Sequence, residues 1–199
     1  ASHLGANALG FILYDKSPRF ISAAEAQYII ERLPPFVHKV AVTVDYDLRS
    51  LKDLILKSGF TAIQLHGRES PGYCKSIKDF TRLPIIKAFR VKEFSDIQKT
   101  EPYYNSIDAM LLDTYQKGLP GGTGKTFDWS IAIEAKKNNR PLILSGGLTP
   151  DNAAEAYKSV TPYALDINSG VEESPGIKST FKLEKLFLSL SKEFCISYK

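Results

Sequence analysis

Short runs of apolar and β-branched residues recur along this chain at a nearly regular interval, and this recurrence constrains the fold more than any other feature. Between the runs lie segments whose apolar residues repeat with helical spacing, such as Leu48–Lys57 and Ala132–Lys137. Strands that alternate with helices predict β-α-β units and a parallel sheet of the α/β class. The seven candidate strands are Ala8–Leu13, Lys39–Val44, Thr61–Leu65, Pro84–Phe89, Asp108–Leu112, Pro141–Leu144 and Ala164–Ile167.

The turn-forming residues are concentrated after these strands rather than before them. In a TIM barrel, the (βα)8 fold, the active site is built from the loops that follow the carboxyl ends of the strands. An open doubly wound sheet would confine its ligand loops to one switch point. Because the loops here are spread over at least five strands, we expect a (βα)8 barrel that forms a single domain over residues 1–199. The proline and glycine clusters lie at residues 17–19, 66–72, 118–124, 145–150 and 168–176.

Composition narrows the class of protein. The 199 residues carry a net charge of +4, with lysines scattered among acids, so nucleic acid binding is not indicated. The two cysteines have neither the number nor the spacing of a disulfide framework or a metal site. No apolar run approaches the roughly 18 residues of a membrane span, and the start lacks the charged region of a signal peptide. We therefore predict a cytoplasmic protein with no metal and no membrane partner.

Asp113 is the candidate catalytic residue. It follows an apolar strand directly in the segment LLDTYQKGLPGGTGKTFDWS. A carboxyl group held by a rigid strand and partly desolvated at a barrel mouth suits a general acid. The alternative, a turn or cap aspartate, better describes Asp128, which immediately precedes the helical segment WSIAIEAKK.

The glycine-rich loop after Asp113 permits a second interpretation. LPGGTGKT differs by one residue from the nucleotide-binding pattern G-x-x-x-x-G-K-[ST], because Leu119 stands at the position of its first glycine. That pattern also needs a helix to start at its lysine and threonine, whereas Asp128 delays the helix here. A nucleotide-binding protein that uses Gly118–Thr126 therefore remains an alternative only.

Two loops late in the chain are candidates for binding phosphate. SGGLTP (145–150) and NSGV (168–171) place small residues after the last two strands, where backbone N–H groups can converge, and Pro150-Asp151 could open a helix whose dipole favours an anion. In barrels, the loops after the last two strands often share one phosphate site. The alternative is that these glycines only make tight turns. The candidate ligand-binding residues are Gly146, Gly147, Ser169 and Gly170.

Arg19 and His66 are further candidates for substrate binding. Arg19 follows the first strand in YDKSPRFIS, where a planar guanidinium could bind a carboxylate through two hydrogen bonds. A solvated surface arginine is the alternative. His66 ends the third strand in IQLHG, so it could form a hydrogen bond with a ligand or only cap the strand edge.

Taken in chain order, six segments resemble the phosphoribosylanthranilate isomerase family of tryptophan biosynthesis, from the first residue to about residue 190. They are ALGFILYDKSPRFIS, AIQLHGRESPGYC, IIKAF, LLDT with GLPGGTGKTFDWS, LILSGGLTPDNAAEA and YALDINSGVEESPGIK. The resemblance implies a TIM barrel and an Amadori rearrangement of N-(5-phosphoribosyl)anthranilate without metal or organic cofactor. It implies that Asp113 is the general acid and that Arg19 binds the anthranilate carboxylate. The loops at Gly146-Gly147 and Ser169-Gly170 would bind the phosphate of this small-molecule substrate, in a monomer or homodimer.

The sequence departs from that family at the general base. The family's base is a cysteine in a K-[IV]-C-G motif at the end of the first strand, and this motif is absent here. Cys74 matches a helical, non-catalytic position, and we expect Cys195 to lie in a frayed or helical tail. The residues ASHLGA read as the end of a helix, so we expect the first β-α unit to be missing. Without that unit the outer strands would be open, apolar edges, and we expect the 199-residue chain to be poorly soluble or inactive. A non-catalytic ligand-binding relative is therefore the main alternative. A smaller departure is Asn168, where the family usually has serine.

Overall fold

The computed structural model describes residues 1–113 and 129–196, with side chains described up to residue 193. Strands β1 to β7 follow the chain in sheet order, and β8 and β9 form a short antiparallel hairpin. Each of the seven predicted strands is present within two residues of its predicted ends. The elements are β1 Ala8–Ile12, α1 Ala23–Ile30, β2 His38–Thr43, α2 Leu48–Ser58, β3 Ala62–Leu65, α3 Pro71–Thr81, β4 Ile85–Arg90, α4 Ser95–Gln98, β5 Ala109–Asp113, α5 Ser130–Lys136, β6 Leu142–Ser145, α6 Ala153–Val160, β7 Ala164–Leu165, β8 Glu172–Ser174, β9 Ile177–Lys178 and α7 Thr180–Ile196.

The chain divides into two compact units, and the first comprises residues 1–88 and 101–110. Its strands β1 to β4 pair in parallel, so that their carboxyl ends lie at the same edge. All four residues of β3 are buried, as expected for a parallel strand covered on both faces. The core of this unit includes Leu51, Ile63, Leu65 and Ile77, each with no exposed surface.

Helix caps in the first unit fix where the helices begin after these strand ends. The Asp47 side chain accepts hydrogen bonds from the backbone N–H groups of Arg49 and Ser50, at 3.1 and 3.0 Å. Ser70 caps α3 in the same way, with Pro71 at its first position. Caps of this kind satisfy donors that the helix itself leaves open, so the loops between strand and helix stay short.

The second unit comprises residues 89–100 and 111–199. Strands β6 and β7 pair in parallel, with Ile143 opposite Ala164. One buried cluster joins Leu112, Leu142 and Leu144 to α5 and α6, and a second packs Val171 against α7. The prediction that a helix opens at Pro150-Asp151 was wrong, because these residues form a turn and α6 begins at Ala153.

The start of the chain is helical, as predicted. The residues read as the end of a helix form a 3-10 helix over Ser2–Leu4, closed by Gly5 in a left-handed conformation, and β1 follows at Ala8. No helix in the described residues is long and apolar enough to cross a membrane.

Candidate active site

Arg19 lies in the turn that follows β1. It is partly buried, and its backbone N–H donates to the Ser17 hydroxyl at 3.1 Å. An open cleft of about 500 Å³ lies beside this turn, lined by Tyr14, Phe20 and Tyr46 among others. Phe20 is the direct neighbour of Arg19, so a ligand in this cleft would lie next to the turn that carries the guanidinium.

His66 is the first residue after β3 and is partly buried. Its backbone N–H donates to the Thr43 carbonyl at 2.9 Å, which ties the ends of β2 and β3 together. Its Nε2 atom lies 2.7 Å from Oε1 of the buried Gln64. Since an amide oxygen only accepts, this assigned orientation makes Nε2 the donor and fixes the ring.

Two tyrosines link the strand ends of the first unit. The Tyr46 hydroxyl donates to the Leu13 carbonyl at 2.9 Å, and the Tyr73 hydroxyl donates to the Tyr46 carbonyl at 3.0 Å. Burial, together with the nearby charge of Asp15, raises the pKa of Tyr46, and burial raises that of Tyr73 further. Both hydroxyls therefore stay protonated and keep donating at any physiological pH.

Asp113 is the last residue of β5, in the second unit. It is partly buried and follows the fully buried Leu112, and its carbonyl accepts a hydrogen bond from the Val91 N–H at 3.4 Å. The glycine-rich segment Gly118–Thr126 and Asp128 lie outside the described residues. The predicted helix cap at Asp128 and the nucleotide-loop alternative therefore stay predictions.

The two candidate phosphate loops touch each other in the second unit. A Cβ atom on Gly170 would lie 1.9 Å from the Leu148 carbonyl oxygen, a distance no side chain can occupy, so only glycine permits this approach. In the other loop, Gly146 and Gly147 have φ angles of 91° and 64°, in the left-handed region. Gly146 and Gly147 come shortly before helix α6, whereas Ser169 and Gly170 lie within the 3-10 helix Ser169–Val171.

Side chains outside the predicted set hold both phosphate loops. The Asn152 amide donates to the Gly147 carbonyl at 3.1 Å and accepts from the Thr149 N–H at 2.8 Å. Lys178, on the β8–β9 hairpin, donates to the Asn168 side chain at 2.6 Å and to its carbonyl at 3.0 Å. The Asn168 side chain is thus engaged in the loop. Sequence reasoning missed the hairpin because its strands are too short to show a period.

The two cysteines lie in helices. Cys74 is fully buried in α3, and desolvation raises the pKa of its thiol to about 11, which is unsuited to a general base. Cys195 lies within α7, as the helical alternative for the tail predicted. Within the part of the chain that the structure describes, no cluster of three or more His, Cys, Asp or Glu side chains could hold a metal ion.

Parallel strands that carry an acid and glycine-rich loops at their carboxyl ends place this chain in the class of barrel enzymes that act on phosphorylated ligands. A sequence model of N-(5'phosphoribosyl)anthranilate (PRA) isomerase matches residues 1–188. The N-(5'-phosphoribosyl)anthranilate isomerase of Marinomonas sp. strain MWYL1 is 46% identical over 180 residues, which cover 90% of this chain and 84% of that protein. The chain belongs to the phosphoribosylanthranilate isomerase family.

Solved structures agree with this assignment. Phosphoribosyl anthranilate isomerase from Thermotoga maritima superposes with a TM-score of 0.88 at 37% identity, covering 96% of this chain and 91% of that chain. Another crystal structure shows phosphoribosyl anthranilate isomerase in complex with reduced 1-(o-carboxyphenylamino)-1-deoxyribulose 5-phosphate. It gives a TM-score of 0.85 at 34% identity, covering 96% and 90%. The predicted α/β fold of the (βα)8-barrel class and the predicted family are confirmed.

Proposed function

We propose that this chain converts N-(5-phosphoribosyl)anthranilate to 1-(2-carboxyphenylamino)-1-deoxyribulose 5-phosphate with Asp113 as the general acid. The chain is an isomerase of tryptophan biosynthesis, and its small-molecule substrate is phosphorylated. The observation that carries the assignment of the acid is the position of Asp113. It ends β5 partly buried, in the same compact unit as the two glycine loops that touch at Gly170.

The chemistry that Asp113 would supply is proton transfer to the ribose ring oxygen. Protonation breaks the bond between C1 and that oxygen, and the nitrogen lone pair forms a Schiff base. A general base then removes the proton from C2, and the resulting enolamine tautomerises to the aminoketose. Each step moves a proton without a change in net oxidation, so an acid and a base of suitable pKa are sufficient.

The remaining ligand contacts are assigned by residue. Arg19 binds the anthranilate carboxylate, because a guanidinium presents parallel donors to two oxygens. Gly146, Gly147, Ser169 and Gly170 contribute backbone N–H groups to the phosphate. His66 forms a hydrogen bond with the substrate through the ring nitrogen that does not contact Gln64.

The general base is not assigned to Cys74, since its raised pKa keeps the thiol protonated and α3 buries it. The main alternative is a relative that binds the ligand without catalysing proton removal. It differs from the isomerase in one measurable way, the absence of turnover.

Cellular location and assembly remain predictions from the sequence. We expect a cytoplasmic protein that acts as a monomer or homodimer and binds neither nucleic acid nor membrane. Size-exclusion chromatography with light scattering measures the oligomeric state directly.

The test is the decay of anthranilate-substrate fluorescence catalysed by the full-length protein and by Asp113→Asn. Removal of a general acid is expected to lower kcat by at least about 100-fold. Asp108→Asn is the matched control, because Asp108 directly precedes the strand that Asp113 ends. Its carboxylate binds Lys78 at 2.7 Å and the Ile85 N–H at 2.9 Å.

We expect Asp108→Asn to keep the turnover of the wild type. Unchanged turnover in Asp113→Asn would remove the acid assignment. Ligand binding without any turnover in the wild-type protein would instead support the non-catalytic relative.

A further inference from the structure

Lys87 is a buried lysine within the apolar strand β4. Only 3% of the surface of Lys87 is exposed. Removing an ammonium group from water is costly unless other groups compensate its charge and its hydrogen bonds. The strand register pairs Lys87 with Leu65 on β3, one residue before His66. A cation inside the fold is thus placed directly beside a proposed ligand-binding residue.

The ammonium group of Lys87 is satisfied by backbone carbonyls. It donates to the carbonyls of Leu65, Gly67 and Ala88 at 3.1, 2.9 and 3.1 Å. Leu65 and Gly67 flank His66, so Lys87 holds the main chain on both sides of the histidine. Together with the hydrogen bonds of His66 to Thr43 and Gln64, this cation fixes the direction in which the His66 side chain leaves the strand end.

Glu69 completes the arrangement. Its side chain is 2% exposed, and its Oε2 atom lies 3.2 Å from the Lys87 ammonium. The other oxygen, Oε1, accepts from the N–H groups of Gly67 at 3.2 Å and of Asp45 at 2.9 Å. Among the described residues no donor meets hydrogen-bond geometry at Oε2, so this oxygen is compensated by the charge of Lys87.

The turn after His66 is packed too tightly to accept a side chain at Gly67. A Cβ atom on Gly67 would lie 2.2 Å from Oδ1 of Asp45, and the same Oδ1 accepts from the Arg68 N–H at 2.5 Å. Asp45 itself has a φ of 50°, in the left-handed region. Hydrogen bonds therefore join the loops after β2 and β3, and Glu69 and Lys87 contribute to these bonds at Asp45 and Gly67.

We propose that the buried pair of Lys87 and Glu69 is a positioning device that orients His66 for the substrate. The inference rests on the proposed function, in which His66 contacts substrate. An apolar pair of similar volume would stabilise a fold equally well, so the specific contribution of this charged pair is the geometry that it imposes on the turn. Lys87 and Glu69 act through His66 and do not themselves touch substrate.

The test is a double-mutant cycle with Lys87→Met and His66→Ala in the full-length protein, read as kcat/KM. A displaced substrate contact is expected to lower kcat/KM by about 10- to 100-fold in Lys87→Met. The double variant should lose no more than His66→Ala alone, because the pair acts through the histidine. Equal losses from Lys87→Met in both backgrounds would overturn the proposal, as would a Lys87→Met variant with wild-type kcat/KM.

Lys78→Met is the matched control. Lys78 also forms an ion pair in the first unit, with Asp108 at 2.7 Å, but it lies on α3 away from the turn. We expect its effect on kcat/KM to be within about twofold and additive with His66→Ala. If Lys87→Met does not fold, Glu69→Gln keeps the shape of its side chain while removing the charge that faces Lys87, and the same cycle applies to it.

A substrate-independent measurement separates this inference from the proposed function. The NMR signals of the His66 ring are expected to shift in Lys87→Met and to stay unchanged in Lys78→Met, whether or not the protein turns over substrate. Unchanged His66 signals in Lys87→Met would overturn the positioning role. Absence of turnover in the wild-type protein would overturn only the proposed function.

Discussion

In the first unit, a buried ion pair holds the loops at the carboxyl ends of the strands, whereas in the second unit the two loops, which Asn152 and Lys178 hold, also meet through a direct backbone contact. Lys87 and Glu69 fix the turns after β2 and β3 through hydrogen bonds to main-chain groups. In the second unit, Gly170 brings its backbone against the Leu148 carbonyl, an approach that any side chain would prevent. We call the carboxyl-end edge of the strands in the first unit the first edge, and that in the second unit the second edge. Loss of a charge should therefore destabilise the first edge, and an added methyl group should destabilise the second.

The difference matches the ligand groups that we assign to the two edges. A carboxylate is recognised by a side chain such as Arg19, whose fork matches its two oxygens. A phosphate can be held by backbone N–H groups alone, provided that the loops are small and close together. Our proposal therefore assigns ligand recognition to a side chain at one edge and to backbone N–H groups at the other.

Gly170→Ala should give the largest loss of stability. The added Cβ cannot fit 1.9 Å from the Leu148 carbonyl oxygen, so the two loops must separate. We expect the free energy of unfolding to fall by about 3 kcal/mol, as for severe overpacking. Urea denaturation followed by circular dichroism measures it, and a loss below about 0.5 kcal/mol would mean that the loops do not touch.

Arg19→Met should weaken substrate recognition at the first edge. Loss of a charge-assisted contact to the carboxylate is expected to raise KM by about 10- to 100-fold. The effect on KM should exceed the effect on the free energy of unfolding, because Arg19 lies in a turn and is not part of the core. Steady-state kinetics over a range of substrate concentrations gives KM, and an unchanged value would favour the solvated surface arginine.

Gly147→Ala provides the matched comparison for Gly170→Ala. A Cβ here would meet nothing within 4 Å, so the effect is limited to the left-handed φ of 64°. We expect a loss of about 1 kcal/mol. A loss as large as that of Gly170→Ala would show that conformation rather than close approach governs both loops.

The pH dependence of stability should belong mainly to the first unit. Burial raises the pKa of Cys74 from 9.0 to about 11 and also raises those of Tyr46, Tyr73 and Tyr103, all in that unit. Because the unfolded thiol loses its proton first, the Cys74 contribution is fully present below pH 9 and is lost as the pH rises towards 11.

The comparison of wild type with Cys74→Ala isolates this contribution. The free energy of unfolding of both proteins should fall above pH 9, with a shallower slope in the variant. Chemical denaturation at several pH values gives the slope. Identical slopes would show that the buried thiol titrates normally.

Asn168→Ser should have the smallest effect. It removes the 2.6 Å contact with Lys178 but leaves the carbonyl contact of the same lysine, and the site is exposed. We expect a loss of no more than about 1 kcal/mol and little change in KM. A KM raised as strongly as in Arg19→Met would mean that the amide itself contacts the ligand.

The sequence predicted the elements better than the contacts between them. The strands were found because buried parallel strands read as apolar runs, and the position of Asp113 follows from the rule that function lies after strands. The contact at Gly170 and the pairing of Lys87 with Glu69 depend on strand register and loop conformation, which no local pattern encodes. One signal was visible, since a lysine within the apolar run IIKAF requires a buried partner.

The most direct test of the division between the two edges is competitive inhibition by the two halves of the ligand. Inhibition constants for anthranilate and for inorganic phosphate would be measured in the full-length wild type, Arg19→Met and Gly147→Ala. We expect Arg19→Met to raise the inhibition constant of anthranilate by about tenfold or more and to leave that of phosphate unchanged. We expect Gly147→Ala to raise the inhibition constant of phosphate by about tenfold or more and to leave that of anthranilate unchanged. The proposed division would be contradicted if either variant weakened the binding of both inhibitors equally. It would also be contradicted if Arg19→Met weakened only phosphate binding or Gly147→Ala weakened only anthranilate binding.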